Sequence, residues 1–140
     1  MSTNGQATTP SVFPFLQYRD GAAAVDWLEQ AFGFNRSVVH RGENGAVEHA
    51  ELRLGTGTIM VGSLEDPSLG LKSPRDLEPV AQGIYVAIDD VDAHCAQAEA
   101  AGAEIVRRPA DQSYGAREYM ARDPEGHLWS FGTYVPEPPA

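Results

Sequence analysis

The apolar positions of this chain change period several times. Residues 12–18 (VFPFLQY) form an aromatic and apolar run, which predicts a strand, and Pro14 favours an edge or irregular position for it. Ala24, Trp27, Leu28, Ala31 and Phe32 then recur at spacings of three and four. That stripe predicts a helix, with Asp20 as N-cap and Gly33 as its stop. A short strand over 37–41 and a turn at Glu43-Asn44-Gly45 lead to a strand over 47–54. This last strand alternates, with Ala50, Leu52 and Leu54 on one face and His49, Glu51 and Arg53 on the other. Gly55-Thr56-Gly57 turns the chain into a strand over 58–61.

Residues 64–80 mix prolines, charges and glycine, and read as a linker. The pattern then restarts. Residues 83–88 (GIYVAI) predict a buried strand, and Asp89 or Asp90 caps an alanine-rich helix that ends at Gly102. Strands follow over 104–107, 117–122 and 127–134, with a loop at 109–113 and a strong turn at Asp123-Pro124-Glu125-Gly126. Asp20 to Gly33 spans the same interval as Asp89 to Gly102, and both halves read strand, helix, strand, strand, strand. This predicts an α+β fold of two βαβββ modules, neither large enough to bury its sheet alone. Module one covers 11–63 and module two 81–134, within one domain over 11–134; residues 1–10 and 135–140 read as tails.

Charge narrows the function. Ten basic residues stand against twenty acidic ones among 140, a formal net charge of −10. That balance argues against a nucleic-acid face and against docking on anionic membranes. No apolar run approaches the ~18 residues of a membrane span, and residues 1–10 lack a basic start and an apolar core. Cys95 is the only cysteine, so no disulfide framework and no cysteine zinc site is expected. A cytoplasmic setting is the expectation. No GxSxG, glycine-rich phosphate loop or HExxH is present.

Four segments carry a family resemblance: FLQYRDGAAAVDWLEQAFGF, LRLGTGTIMVGS, VAIDDVDAHCAQAEAAGAEI and the closing ARDPEGHLWSFGTY. Over about residues 11–134 the chain resembles the vicinal oxygen chelate superfamily of glyoxalases, bleomycin-resistance proteins and extradiol dioxygenases. The resemblance implies paired βαβββ modules whose mixed sheets curl into a cup that holds the ligand. Metal-dependent members draw His, Gln and Glu ligands from four strand positions, which the resemblance carries to Pro14, Met60, Gly83 and Ser130. None of these offers the imidazole or carboxylate a divalent ion wants. Their neighbours Phe13, Phe15, Ile59, Val61, Gln82, Ile84, Trp129 and Phe131 do not either. No metal and no cofactor are therefore expected. The metal-free branch implies a homodimeric small-molecule-binding protein of the bleomycin-resistance type, sequestering a drug or natural product.

Strand parity supplies candidate ligand-binding residues. His49, Glu51 and Arg53 are expected to face the cup, Met60 lies at a former ligand position, and Tyr85 shares the face of Gly83. Pairing Arg122 with His127 across the turn sets Tyr119 opposite Ser130 and Arg117 opposite Gly132, so Arg117, Tyr119 and Ser130 look inward. A register one residue different substitutes Glu118 and Met120. Trp27, Trp129, Phe131 and Cys95 read as core, and His94 and His127 as exposed. His40, His49 and Glu51 form a non-family metal site if they share a facing. The alternative function is a lyase or isomerase using acid–base residues, with His49, Glu51, Arg117 and Tyr119 as its candidates.

Overall fold

The computed structural model describes residues 11–63, 72–76 and 82–136, so most of the expected linker lies outside the described residues. In module one, β1 (Phe15–Gln17) is followed by α1 (Gly21–Phe32), β2 (Asn35–Arg41), β3 (Val47–Leu54) and β4 (Gly57–Gly62). Module two repeats the order with β5 (Gly83–Ala87), α2 (Val91–Ala100), β6 (Glu104–Asp111), β7 (Arg117–Arg122) and β8 (Leu128–Gly132). Each module forms one mixed four-stranded sheet, ordered β1-β4-β3-β2 and β5-β8-β7-β6. The first strand of each pairs parallel with the last, and the other ladders are antiparallel. The architecture is α+β with open sheets.

Local chemistry explains the helix ends. The Asp20 carboxylate accepts from the Ala23 amide at 3.0 Å, and Asp90 accepts from Ala93 at 3.1 Å, each satisfying an amide the helix leaves unpaired. Gly33 ends α1 in the left-handed region at φ 83°, a conformation glycine adopts without steric cost. One strand departs from expectation. β6 runs through Pro109 to Asp111, where a loop was predicted. It is an edge strand, so the missing proline N–H costs no ladder bond, and the register slips between Arg107 and Ala110.

Each sheet buries the face that carries its helix. Ala50, Leu52, Ile59 and Val61 cover that face of sheet one; Tyr119, Ala121, Trp129 and Phe131 cover that of sheet two. The modules meet through these same faces. The Phe32 ring at the end of α1 lies 5.1 Å from Trp129 and 4.7 Å from Phe131, centroid to centroid. The Trp27 indole donates to the Ala101 carbonyl at 2.6 Å, and Gln97 donates to the Gln30 carbonyl at 2.9 Å. Cys95 and Ala98 complete the buried side of α2.

The 123–126 turn does more than reverse the chain. Asp123 and Glu125 are both buried. One Asp123 oxygen accepts from the Tyr18 hydroxyl at 2.6 Å and the Trp129 indole at 3.1 Å; the other accepts from the Glu125 and His127 amides. Glu125 accepts from the Arg19 amide at 2.5 Å, the Asp20 amide at 2.9 Å and the Ser73 hydroxyl. A turn of module two thus holds the entry to the helix of module one.

Candidate functional site

Opposite the helix side, each sheet presents an inner face whose lining follows from register. In sheet one, Phe15 pairs with Met60, Met60 with Glu51 and Glu51 with Val38, so these four make a row across the strands. His49 and His40 pair in a second row, with ring centroids 6.0 Å apart, and Arg53 pairs with Thr58 and Asn35 in a third. His49 Nε2 lies 3.0 Å from Glu51 Oε2. His49, Glu51, Arg53 and Met60 thus share the face opposite buried Ala50 and Leu52.

In sheet two the register differs from expectation by one residue. Arg122 pairs with Leu128, Met120 with Ser130 and Glu118 with Gly132. Tyr85 pairs with Ser130 from the other side, so Tyr85, Ser130 and Met120 form one inner row. Tyr119 and Arg117 therefore leave the inner face. Tyr119 pairs with Phe131 in the core and is 1% exposed. Arg117 bonds Asp92 at the start of α2 and Asp111 on β6, and these bonds raise its pKa further. The cause is loop length. The Asp123 amide donates to the His127 carbonyl at 3.0 Å, and Gly126 sits at φ 100°. His127 thus belongs to the loop, and Leu128 becomes the first residue of the strand.

The β1 and β5 strands border a common cavity. It measures about 760 Å³ and takes Phe13, Phe15, Gly83 and Leu128 in its lining. Phe13 and Phe15 are 50% and 64% exposed. At the far end of sheet two, three tyrosines gather around a carboxylate. The Tyr85 hydroxyl donates to the Tyr134 carbonyl at 2.5 Å, the Tyr114 ring lies 6.0 Å from that of Tyr134, and the Tyr114 hydroxyl donates to Glu118 at 2.6 Å. Burial and the nearby Glu118 raise the Tyr85 pKa, so its hydroxyl stays protonated.

The donor set of the metal-dependent relatives does not fit here. Met60, Gly83 and Ser130 face inward, while Pro14 falls on the other side of β1 from Phe15, the strand partner of Met60. A thioether, a bare backbone position and a hydroxyl do not make a divalent-ion site. Nor do His40, His49 and Glu51 assemble one: among the described residues no group of three His, Cys, Asp or Glu is placed to hold a metal ion.

Two histidines expected at the surface are built into the fold. His127 Nε2 lies 2.8 Å from the Gln17 carbonyl, and its ring is 4.6 Å from that of Tyr18. His94 packs against Phe131 with centroids 4.4 Å apart, and its Nδ1 is 2.6 Å from the Tyr119 hydroxyl. Burial pushes the His94 pKa below its ordinary value, against the opposing pull of the Phe32 backbone. Sequence reasoning missed both because each partner lies on a distant segment.

Two mixed sheets, each backed by one helix, define a paired-βαβββ fold. The family model described as "Glyoxalase/Bleomycin resistance protein/Dioxygenase superfamily" matches residues 11–131, and the chain belongs to that superfamily. The Rv0887c protein of Mycobacterium tuberculosis (strain ATCC 25618 / H37Rv) is 35% identical over 130 residues, covering 91% of this chain and 76% of that protein. The crystal structure of TioX from Micromonospora sp. ML1 superposes with a TM-score of 0.70 at 33% identity, covering 93% of this chain and all of that one. The fosfomycin resistance protein FosX from Mesorhizobium loti shares the fold, with a TM-score of 0.64 at 16% identity over 92% of this chain and 95% of its own. No helix among the described residues is long and apolar enough to cross a membrane.

Proposed function

We propose that this chain is a metal-independent small-molecule-binding protein that holds an aromatic or amphipathic drug or natural product against its inner sheet faces. The observation that carries the reading is the composition of those faces. Phe15, Met60, Met120 and Tyr85 offer adaptable apolar and aromatic contact on those faces, and Met60 stands at one of the four positions to which the resemblance carries a metal ligand. Two features favour a cationic ligand. The tyrosines around Glu118 present aromatic faces beside a carboxylate, and the net charge of −10 steers cations toward the surface. A homodimer belongs to the same reading, since exposed Phe13 and Phe15 flank the cavity that β1 and β5 border; light scattering at the dimer mass supports it, and a monomer counts against it.

The test is a thermal-shift panel of planar aromatic, cationic and glycopeptide natural products. A ligand at about a hundred times its Kd stabilises the fold by about 2.7 kcal/mol. A clear rise in Tm that Ser130→Trp abolishes supports the reading. No shift from any member of the panel argues against it.

A second reading has one observation of its own. The 3.0 Å contact between His49 and Glu51 orients an imidazole on the inner face next to Met60, the arrangement of a general base and its orienting carboxylate. Of the four acid–base candidates only these two face inward. Turnover of a bound ligand that survives in Glu51→Gln would remove this reading.

A further inference from the structure

The two modules make the same turn between their second and third strands, with different residues at its tip. In module one the Gly42 amide donates to the Ala46 carbonyl at 2.8 Å and the Gly45 amide to the Gly42 carbonyl at 3.0 Å. In module two the Gln112 amide donates to the Ala116 carbonyl at 2.7 Å and the Gly115 amide to the Gln112 carbonyl at 3.1 Å. Gly45 and Gly115 take φ of 84° and 88°. Asn44 and Tyr114 therefore hold the same place. Asn44 serves the turn itself, because its Oδ1 accepts from the Ala46 amide at 3.1 Å. Tyr114 makes no such bond within the turn. Its hydroxyl donates to Glu118 at 2.6 Å, and the residue is 60% exposed.

Two further tyrosines are brought to this one. The Thr133 amide donates to the Arg117 carbonyl and the Arg117 amide to Thr133 Oγ1, each at 3.1 Å, so the chain after β8 stays on β7 and carries Tyr134 toward Tyr114. Gly132 makes room for Tyr85, since a Cβ there would overlap the Glu118 side chain and press on the Tyr85 hydroxyl. The Tyr134 ring stands at 82° to that of Tyr114, with centroids 6.0 Å apart, and at 62° to that of Tyr85, with centroids 6.4 Å apart. The Tyr85 and Tyr114 hydroxyls are both spent, on the Tyr134 carbonyl and on Glu118. What the cluster has left to offer is ring surface.

One charge stands among the rings. Glu118 is half-buried, and among the described residues it enters no ion pair. The guanidinium of its neighbour Arg117 is bonded to Asp92 and Asp111 instead. The bond to Glu118 raises the Tyr114 pKa, and burial with the nearby Glu118 raises that of Tyr85, so both remain neutral phenols. Aromatic faces are negative, and three of them beside an unpaired carboxylate attract a cation. The rings favour a cation whose charge is spread over methyl groups. A primary ammonium is compact and strongly hydrated, and it needs acceptors in place of its water. A trimethylammonium group has no N–H to satisfy.

We propose that Tyr85, Tyr114, Tyr134 and Glu118 form a cage for a quaternary, fully methylated ammonium group of the bound molecule. The proposal rests on the reading of the inner faces as the ligand-binding surface, and it names the group recognised at one end of sheet two. Ile84 and Val86, on the other face of β5, border a separate helix-side cavity of about 590 Å³ with Phe32, Ile59 and His94.

The probe is choline, titrated against the isotope-labelled full chain and followed by nuclear magnetic resonance. Enclosing rings shift its methyl protons upfield. The expected result is a saturable upfield shift, with amide signals moving at Tyr114, Glu118 and Tyr134. Dimethylbutanol with carbon in place of the nitrogen keeps the shape without the charge, and ethanolamine keeps the charge without the methyls. Each should bind about fivefold more weakly or worse. Tyr114→Ala and Glu118→Gln should each weaken choline about fivefold, while Tyr114→Phe keeps the ring and should stay within about twofold. Tyr134→Ala serves if Tyr114→Ala disturbs the turn. The proposal is overturned if choline gives no saturable shift, if either analogue binds as tightly, or if the Ala and Gln variants bind choline like the parent protein. Failure of choline while the thermal-shift panel yields a ligand overturns the cage alone; failure of both removes the inner-face reading with it.

Discussion

The two modules present the same element order but close their inner hairpins in opposite ways. Between β7 and β8 the chain spends five residues, and between β3 and β4 only two. The long turn carries two buried carboxylates that together accept from Tyr18, Trp129, Ser73 and four backbone amides. The short one, Gly55-Thr56, makes no side-chain hydrogen bond and borders a cavity of about 590 Å³. A repeat can therefore share its scaffold and still divide its labour. One end of the module interface is locked by two buried acidic side chains, and the other borders a cavity. Buried carboxylates are costly unless their oxygens are occupied, and here each of Asp123 and Glu125 has several donors.

The comparison breaks most visibly at Asp123. Asp123→Ala removes the shared acceptor of a buried tyrosine hydroxyl and a buried indole N–H, both of which then lack partners. The expected cost is about 3 kcal/mol, a fall in Tm of about 10 °C for a chain of this size. Calorimetry or thermal fluorescence measures it. A fall below about 3 °C would mean that the aromatic packing of Phe32 on Trp129 and Phe131 holds the modules together without the clamp.

This turn also shows what the sequence made legible and what it did not. Asp123-Pro124-Glu125-Gly126 announces a reversal, and its turn residues sit as expected, with Gly126 at φ 100°. Helix caps were equally readable, because Asp20 and Asp90 act on amides three residues away. Parity on β3 was readable too, since alternation within one strand fixes which residues share a face. Register across the turn was not. It depends on whether His127 joins the strand or the loop, and that is decided by the Asp123 contacts to His127 and by the bond from His127 to the Gln17 carbonyl, more than a hundred residues away in sequence. The slip moved Tyr119 and Arg117 to the helix side and brought Met120 and Glu118 inward. The helix-side cavity was illegible for a similar reason: β5 reads as a uniformly apolar strand, and only the packing of two modules reveals which of its residues face a hollow.

At the open end the expected effect is smaller and depends on pH. His94→Phe leaves the Tyr119 hydroxyl without its hydrogen-bond partner, at a cost of about 1 kcal/mol at neutral pH. The pH dependence runs in a definite direction. Burial lowers the folded pKa of His94 below the unfolded value, which is about 6.5. Between those two values the unfolded chain binds more protons, so the parent protein gains stability as pH rises and loses it as pH falls below about 6.5. In His94→Phe that slope is absent. The stability difference between parent and variant should therefore narrow from pH 7.5 toward pH 5. Urea midpoints across that range test it, and a difference that widens on acidification would place His94 in a setting that favours its charged form.

Thr56→Ala should have the smallest effect, and it tests the asymmetry most directly. Thr56 is exposed, has no side-chain hydrogen bond and occupies a two-residue turn with Gly55 at φ 57°. Removing its hydroxyl should change stability by less than about 0.5 kcal/mol, the range of exposed substitutions away from special features. Set beside Asp123→Ala, this contrast separates two accounts of the interface. If a locked end and an open end are both present, the two substitutions differ by several-fold in their effect on the urea midpoint. If Thr56→Ala costs as much as Asp123→Ala, the β3–β4 turn is itself a clamp and its contacts on module two are tighter than the cavity beside it implies.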